Sequence, residues 1–483
     1  VSVHPSRITS NEEDSIVDLQ DETQVISKGS CIGVFEDVGR TRRMAWAGVL
    51  LPLTIFWATC LRFLSPLPVA DDYDAILLFL VHLKQLPTRS AKISTILFEQ
   101  HNEYKLIWGN AVTALQYKLF GHVDFIALSL LGDLQVMLLA WLLWKAFARE
   151  TIQGTCRLVL FVPVAMLLFQ TNYAETLNWS MAALQNLGVI TFALLSLWLL
   201  QRSTVGDFAG ACAALVFSIA ASGNGFFLLP VGLLLLSQQQ RHKRMAVWIL
   251  VCFLCAVLYF HHYTFRATAA GTHNGLHPIF LLSLLGSFAG VKAPFLQYAS
   301  LPAGACVLIG TAYTLTLRFY RRNATIAGFL AFVLITIIGI SVTRGGSGYA
   351  NSLSMRYKLY ADLALICLYA AGIERMEATS LEQQRRTYRL VLAAACLFFF
   401  GQTMFGLRFM RLRLLDLNHG LALYQGSRGT EGPVPVSAKG TQEETKATLA
   451  FNEHFRKVLW DASAANIYHL PRTAAPTSPT TAN

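Results

Sequence analysis

Residues 324–341 read ATIAGFLAFVLITIIGIS, with no charged side chain and only Thr325, Thr336 and Ser341 polar. The hydrocarbon of a bilayer is ~30 Å thick, and a helix needs ~20 residues to cross it. A half-buried strand would alternate apolar and polar residues, and this run does not, so it reads as a helix. Arg318, Arg321 and Arg322 precede it, and Thr343-Arg344-Gly345-Gly346-Ser347-Gly348 follows. A spanning backbone must satisfy its own hydrogen bonds, which leaves only helices or a closed barrel.

The pattern recurs in both directions. Towards the N-terminus lie apolar blocks at about 299–317, 245–260, 226–238, 207–222, 186–201, 156–169, 122–147 and 44–66; towards the C-terminus lie 359–373 and 390–405. Together they predict an all-α polytopic membrane protein with about 11 transmembrane helices. Residues 278–290 are apolar but short, and predict a re-entrant or interfacial helix. The blocks at 207–222 and 226–238 read as a pair hinged at Ser222-Gly223-Asn224-Gly225.

Composition agrees. The chain has 483 residues, of which 54% are hydrophobic and 14% charged. A soluble domain is nearer a quarter charged. The net charge of +11 calls for no nucleic acid, because much of it lies between the apolar blocks. Basic clusters at 40–43, 145–157, 241–244, 318–322 and 375–389 mark the cytoplasmic side. The loops 67–121, 170–186, 222–225, 261–298 and 342–358 alternate with them and fall outside. Most of the nine cysteines lie inside apolar blocks, with no paired spacing that would suit a metal.

Three parts follow. Residues 1–43 form a cytoplasmic segment, acidic and predicted to be disordered. Residues 44–405 form the transmembrane module. Residues 406–483 form an outside tail. The tail opens with an amphipathic stretch, Leu407 to Tyr424, that predicts a helix along the membrane surface. A Gly/Pro/Ser loop (426–438), a helix (442–462) and a disordered Pro/Thr/Ala-rich end (473–483) complete it.

The outside loops carry the polar chemistry. The first holds Asp71, Asp72 and Asp74, then Glu99-Gln100-His101-Asn102-Glu103-Tyr104-Lys105. Close-set carboxylates beside a membrane suit a general base tuned by its neighbours; a solvated polar loop is the plainer account. Residues 342–358 carry Arg344, Arg356, Tyr357 and Lys358 with a Gly-Gly-Ser-Gly run. Such a loop fits an anionic group, whether a substrate phosphate or lipid head groups. The stretch from Gln170 to Asn186 includes Glu175, Asn178, Trp179 and Gln185. Amides, acids and aromatics of this kind build carbohydrate sites or anchor a chain at the interface. Asp133 lies inside a span, where an acid either pairs within the bundle or acts. His261, His262, His273 and His277 show no spacing that fixes a metal.

The order of these segments resembles the bacterial GT-C-type integral membrane glycosyltransferases. Asp71-Asp72 stands where that family carries an acidic motif, just after the first span. Glu99 to Lys105 resembles a segment of one bacterial branch that ends in His-Arg, where this chain has Tyr104-Lys105. Ser222 to Gly225 and Arg356-Tyr357 are similar to that branch too. The resemblance covers roughly residues 40–405.

It implies a GT-C-like fold with short interfacial helices in a first periplasmic loop, 67–121, and a location in the bacterial inner membrane. The N-terminus would be cytoplasmic and the C-terminus periplasmic. It implies transfer of a sugar from a polyprenyl-phosphate donor to a periplasmic glycan or lipid-linked acceptor. Asp71 or Asp72 would be the base, with Glu103 next in line. Asp74, His101, Asn102, Lys105, Glu175, Asn178, Trp179, Arg344, Arg356, Tyr357 and Lys358 would bind substrate. No metal ligand is assigned, no cofactor is certain, and a divalent cation stays open. Membrane lipids are partners and nucleic acid is not. The alternatives are a flippase or transporter of a lipid-linked sugar, and an O-antigen polymerase or ligase.

Overall fold

The computed structural model describes residues 38–148, 152, 154–264, 275–291, 293, 295–376, 379–432 and 442–471. The expected disorder before residue 38 and after 472, the loop beyond residue 432, and His273 lie outside the described residues. Helices make up nearly all regular structure among the described residues, with one isolated antiparallel bridge between His101 and Tyr104.

Every one of the apolar blocks falls in a helix, but they are not equal. Seven helices are long and apolar enough to cross a membrane: Gly39–Phe63, Phe125–Ala146, Ser180–Leu200, His242–Phe260, Leu296–Thr316, Ala324–Ser347 and Leu381–Gly426. By that measure the figure of about eleven is not reached. Gly154–Leu168, Val205–Ala221 and Gly223–Gln238 are shorter. Fifteen residues rise only ~22 Å, and Gly154–Leu168 is wrapped by neighbours, with Leu158 through Leu168 mostly buried. Met355–Met376 is long enough but carries Arg356, Lys358, Asp362, Glu374 and Arg375. Pro278–Leu285 spans eight residues, too few to cross.

Local chemistry sets the helix starts. Asp124 accepts from the N–H groups of Ile126 and Ala127 (2.9 and 3.3 Å), Asn323 from Ile326 (3.1 Å) and Thr204 from Asp207 (3.0 Å). Each supplies an acceptor to a first-turn N–H that the helix itself leaves open. The expected hinge is at Ser222. Gly225 returns so tightly there that a Cβ would lie 2.5 Å from the backbone nitrogen of Ile219. Along His242–Phe260 the exposed Leu250, Phe253, Leu254, Val257 and Leu258 form a face that suits lipid.

The expected surface helix at Leu407–Tyr424 is not separate. Leu381–Gly426 is one continuous helix of 46 residues, so the amphipathic stretch continues the apolar block as a rod of ~69 Å. No proline interrupts it. Gly406 lets the rod press against Thr171, whose hydroxyl donates to the Thr403 carbonyl at 3.2 Å.

The loops sort to two ends. At one, Arg157 donates to the Trp144 and Lys145 carbonyls, Asn323 to Ala146, and Arg241 and Arg244 to Arg202. At the other, the first loop forms helices at Tyr73–Leu78 (a π turn), Phe79–Gln85, Arg89–Phe98 and Ile107–Phe120. The tail helix Gln442–Ala464 docks on them. Tyr73 stacks on Phe455 with centroids 4.4 Å apart, His454 meets Asp74 at 2.6 Å, and Tyr468 donates to the Pro66 carbonyl at 3.0 Å.

Candidate functional site

Two turns build the site. Residues 69–72 close on themselves, with the Asp72 and Tyr73 N–H groups donating to the Val69 and Ala70 carbonyls. Ala70 takes φ of 48°, a left-handed conformation that side-chain-bearing residues rarely adopt. His101 and Tyr104 exchange two backbone hydrogen bonds of 2.8 Å, and Asn102 between them has φ of 50°. Strained backbone of this kind collects where a site needs a fixed geometry.

The first turn sends its two acids in opposite directions. Asp72 is buried, and its carboxylate accepts from the N–H of Val69 (3.1 Å) and of Met181 (2.8 Å). It ties the first loop to the segment around Trp179. Burial pushes its pKa up to about 7, against the pull of those two N–H groups and of Arg413. Asp71 instead has a side chain 40% exposed, 3.9 Å from Nε2 of His101. Of the two acids, Asp71 alone is free to take a proton from a ligand.

Asp71, His101, Asn102, Trp179, Arg344, Arg356 and Tyr357 line one cavity of about 80 Å³, together with Tyr104, Gln185 and Asn186. Arg344 reaches across to the carboxylate of Glu103, so the loops 67–121 and 342–358 are joined by an ion pair. Arg356 lies over the Tyr357 ring, 4.8 Å from its centroid. Three donors of these lining residues are buried without an acceptor among the described residues: Nε of Arg344, Nε of Arg356 and Nε1 of Trp179. Buried donors are normally satisfied, so this cavity is short of acceptors, and an anion or a hydroxyl-rich group would supply them.

A second cavity of about 260 Å³ adjoins the first, sharing Tyr104, Gln185, Asn186 and Tyr357. Its other walls include the aromatic Phe226, Phe227, Tyr259, Phe260, Tyr263 and Tyr360, with Glu103, Ser222, Asn224, Thr336 and Thr343 as polar members. One chamber is thus polar and charged, and its neighbour is aromatic. The five loops that the charge pattern assigned to one side all reach this pair of cavities.

The other predicted residues sit elsewhere. Asp74 pairs with His454 and lines a third, polar cavity of about 260 Å³ with Glu99, Gln100 and Asn110, which shares His101 and Asn102 with the first. Lys105 is fully buried, and its ammonium donates to the His261 carbonyl. Burial lowers its pKa, and it is a strut between loops rather than a wall of the Asp71 cavity. Glu175 accepts from the Ser354 hydroxyl (2.8 Å) and the Arg356 N–H (3.2 Å), bracing the turn behind the arginine. Asn178 donates to the Phe63 carbonyl at 2.9 Å. Lys358 donates to the Gly290 carbonyl at 2.8 Å. Lys105, Glu175, Asn178 and Lys358 therefore support the site's frame.

Tyr259 and Phe226 were missed, because aromatics near the end of an apolar block look like interface anchors. Tyr259 is buried, and its hydroxyl accepts the Lys105 N–H at 3.1 Å. The histidines His261 and His262 pack edge to face with centroids 4.1 Å apart, and His277 packs on Gly345. Among the described residues no three His, Cys, Asp or Glu side chains are grouped to hold a metal ion. Deep in the bundle, neither carboxylate oxygen of Asp133 meets a donor among the described residues, while Asp362 accepts from Gln170 (3.0 Å) and Asn172 (3.1 Å).

Compared with known protein families, with curated proteins and with solved structures, the chain finds no match in any of the three.

Proposed function

We propose that this chain is a GT-C-type membrane glycosyltransferase that moves a sugar from a polyprenyl-phosphate donor to a periplasmic glycan or lipid-linked acceptor. The observation that carries the reading is the cavity that gathers Asp71, Arg344 and Arg356 beside an aromatic chamber. A lipid phosphate joins an anion to a greasy chain, and the two chambers offer one environment to each.

The chemistry follows from the placement. Asp71 accepts the proton of the acceptor hydroxyl as that oxygen attacks the anomeric carbon. The bond from that carbon to the phosphate oxygen breaks, and polyprenyl phosphate leaves with the electron pair. Arg344 and Arg356 stabilise the charge that grows on the leaving phosphate. His101, beside Asp71, orients the carboxylate, and Trp179 and Asn186 are placed to meet a sugar ring.

In this reading all eleven helical segments cross the bacterial inner membrane, the shorter ones sheltered by their neighbours. The N-terminus is then cytoplasmic, and the first loop and the tail are periplasmic. The docking of Gln442–Ala464 on the first loop supports a shared side for both. The test is direct: the purified protein in detergent, given radiolabelled polyprenyl-phosphate sugars and candidate acceptor glycans, should form a labelled glycan. Failure with every donor would remove the reading.

A second reading has its own support. An acid in the bundle that meets no donor among the described residues, as Asp133 does, suits a transporter that moves a lipid-linked sugar with a proton. Such a protein would show no transfer in detergent, where there is no gradient.

A further inference from the structure

Behind the Asp71 cavity, on the far side of the turn at residues 354–358, lies a groove of about 340 Å³. The helix that starts at Met355 separates the two. Arg356 and Tyr357 line the Asp71 cavity, while Met355 and Lys358 line the groove. The opposite wall is the long helix Leu381–Gly426, through Gln402, Phe405, Arg408, Phe409 and Leu412.

Its composition is divided. Most of the wall is apolar, and Phe405 and Leu412 are about half exposed, as are Phe400 and Met404 beside them. That surface suits acyl chains. Two cations stand among it. Arg408 is exposed and has no hydrogen-bond or ion-pair partner among the described residues, and Lys358 is fixed by the Gly290 carbonyl. Gln402 is 9% exposed; its amide nitrogen donates to the Phe288 carbonyl at 2.8 Å, but its oxygen is buried with no partner among the described residues. A buried amide oxygen left open in the wall of a groove asks for a donor, such as a glycerol hydroxyl.

The negative charges nearby are already engaged. Glu175 at the groove's edge binds Ser354 and the Arg356 N–H, and Arg413 donates to its backbone carbonyl at 3.5 Å. Asp362 accepts from Gln170 and Asn172, and the Lys358 ammonium acts on it as well. The lining itself carries two cations, Lys358 and Arg408, against one acid, Glu175, and is net positive. Basic pockets between membrane helices take anionic head groups.

We propose that this groove holds an anionic phospholipid of the surrounding bilayer, its phosphate on Arg408 and Lys358 and its chains along Phe405 and Leu412. A head group here is one helix away from Asp71, so the bound lipid is a brace for the 354–358 turn and not a reactant. The inference rests on the membrane reading and is independent of sugar transfer.

Native mass spectrometry of the full chain in detergent tests it, with phosphatidylglycerol and phosphatidylcholine as probes. Phosphatidylglycerol should be retained and phosphatidylcholine should not. Arg408→Ala should weaken phosphatidylglycerol retention roughly tenfold, the scale of one charge-assisted contact. Arg411→Ala removes an equal charge from the same helix, off the groove, and should leave retention within about twofold. Equal retention of the two lipids would overturn the proposal, as would equal losses in the two variants or no loss with Arg408→Ala. Displacement of phosphatidylglycerol by an equimolar polyprenyl phosphate would also overturn it, by giving the groove to the donor.

Discussion

Two cavities share the wall formed by residues 354–358, and they differ in how their charges are held. In the Asp71 cavity, arginines from one loop face a carboxylate from another, and three buried donors await an acceptor. In the groove behind it, two cations sit in an apolar wall beside exposed lipid-facing side chains. The first has both an acid and cations, so it can move a proton and hold an anion at once. The second has two cations against one carboxylate, Glu175, which the Ser354 hydroxyl and the Arg356 N–H hold in place, so it suits an anion and offers no base. Arg356 and Lys358, two positions apart on one helix, thus open on different cavities.

The largest expected effect falls on the acid. Asp71→Asn should lower turnover at least ~10²-fold while the protein still folds, because a general base contributes that much. Asp72→Asn should act differently. It leaves one backbone N–H, of Val69 or Met181, facing an amide nitrogen, so thermal stability should drop by more than turnover per folded molecule. Turnover assays scaled to folded protein, with melting curves for both variants, separate the two roles. Equal loss of turnover with unchanged melting would make Asp72 the base.

Next come the arginines. Arg344→Lys and Arg356→Lys should each raise the apparent KM for donor about tenfold and leave that for acceptor alone, since lysine lacks the planar fork. Steady-state kinetics with each substrate varied in turn give the answer. Unchanged donor dependence in both would remove the 342–358 loop from the site.

A pH effect follows from Asp72. Its pKa is about 7 in the folded chain against 3.8 unperturbed. Between those values the folded state holds a proton that the unfolded state has lost. The residue's contribution to stability therefore falls as pH rises from about 4 to about 7. Melting temperature recorded across that range should show this slope in the wild type and not in Asp72→Asn. The smallest effect belongs to the groove: Arg408→Ala should change turnover by no more than about twofold, as for a surface residue off the chemistry.

The sequence made the helices legible because apolar length is a strong signal, and the block at 324–341 is helical as read. Span number was less legible. Gly154–Leu168 is short for a span and is wrapped by its neighbours, and no hydropathy window reports a neighbour. Leu407 to Tyr424 was read as a separate surface helix because its arginines break the apolar run, yet charges do not break a helix, and no proline does so here. At the site, Asp71, His101, Arg344 and Arg356 were singled out from their loops and do meet. Which of two adjacent acids points outward could not be read, because it depends on the turn at Ala70. Lys105 was given to substrate binding by the resemblance, whereas its ammonium closes on the His261 carbonyl. Tyr259 and Phe226 gave no sign of function, because aromatics near the ends of membrane helices are common.

The central claim is that Asp71, and not the buried Asp133, is the working acid. The measurement is the rate of sugar transfer in detergent from a radiolabelled polyprenyl-phosphate donor, for the wild type, Asp71→Asn and Asp133→Asn. With Asp71 as the base, the wild type and Asp133→Asn should both give labelled product, and Asp71→Asn should lose at least ~10²-fold. Transfer that persists in Asp71→Asn, or no transfer by the wild type alongside sugar uptake in proteoliposomes that Asp133→Asn abolishes, would overturn that assignment.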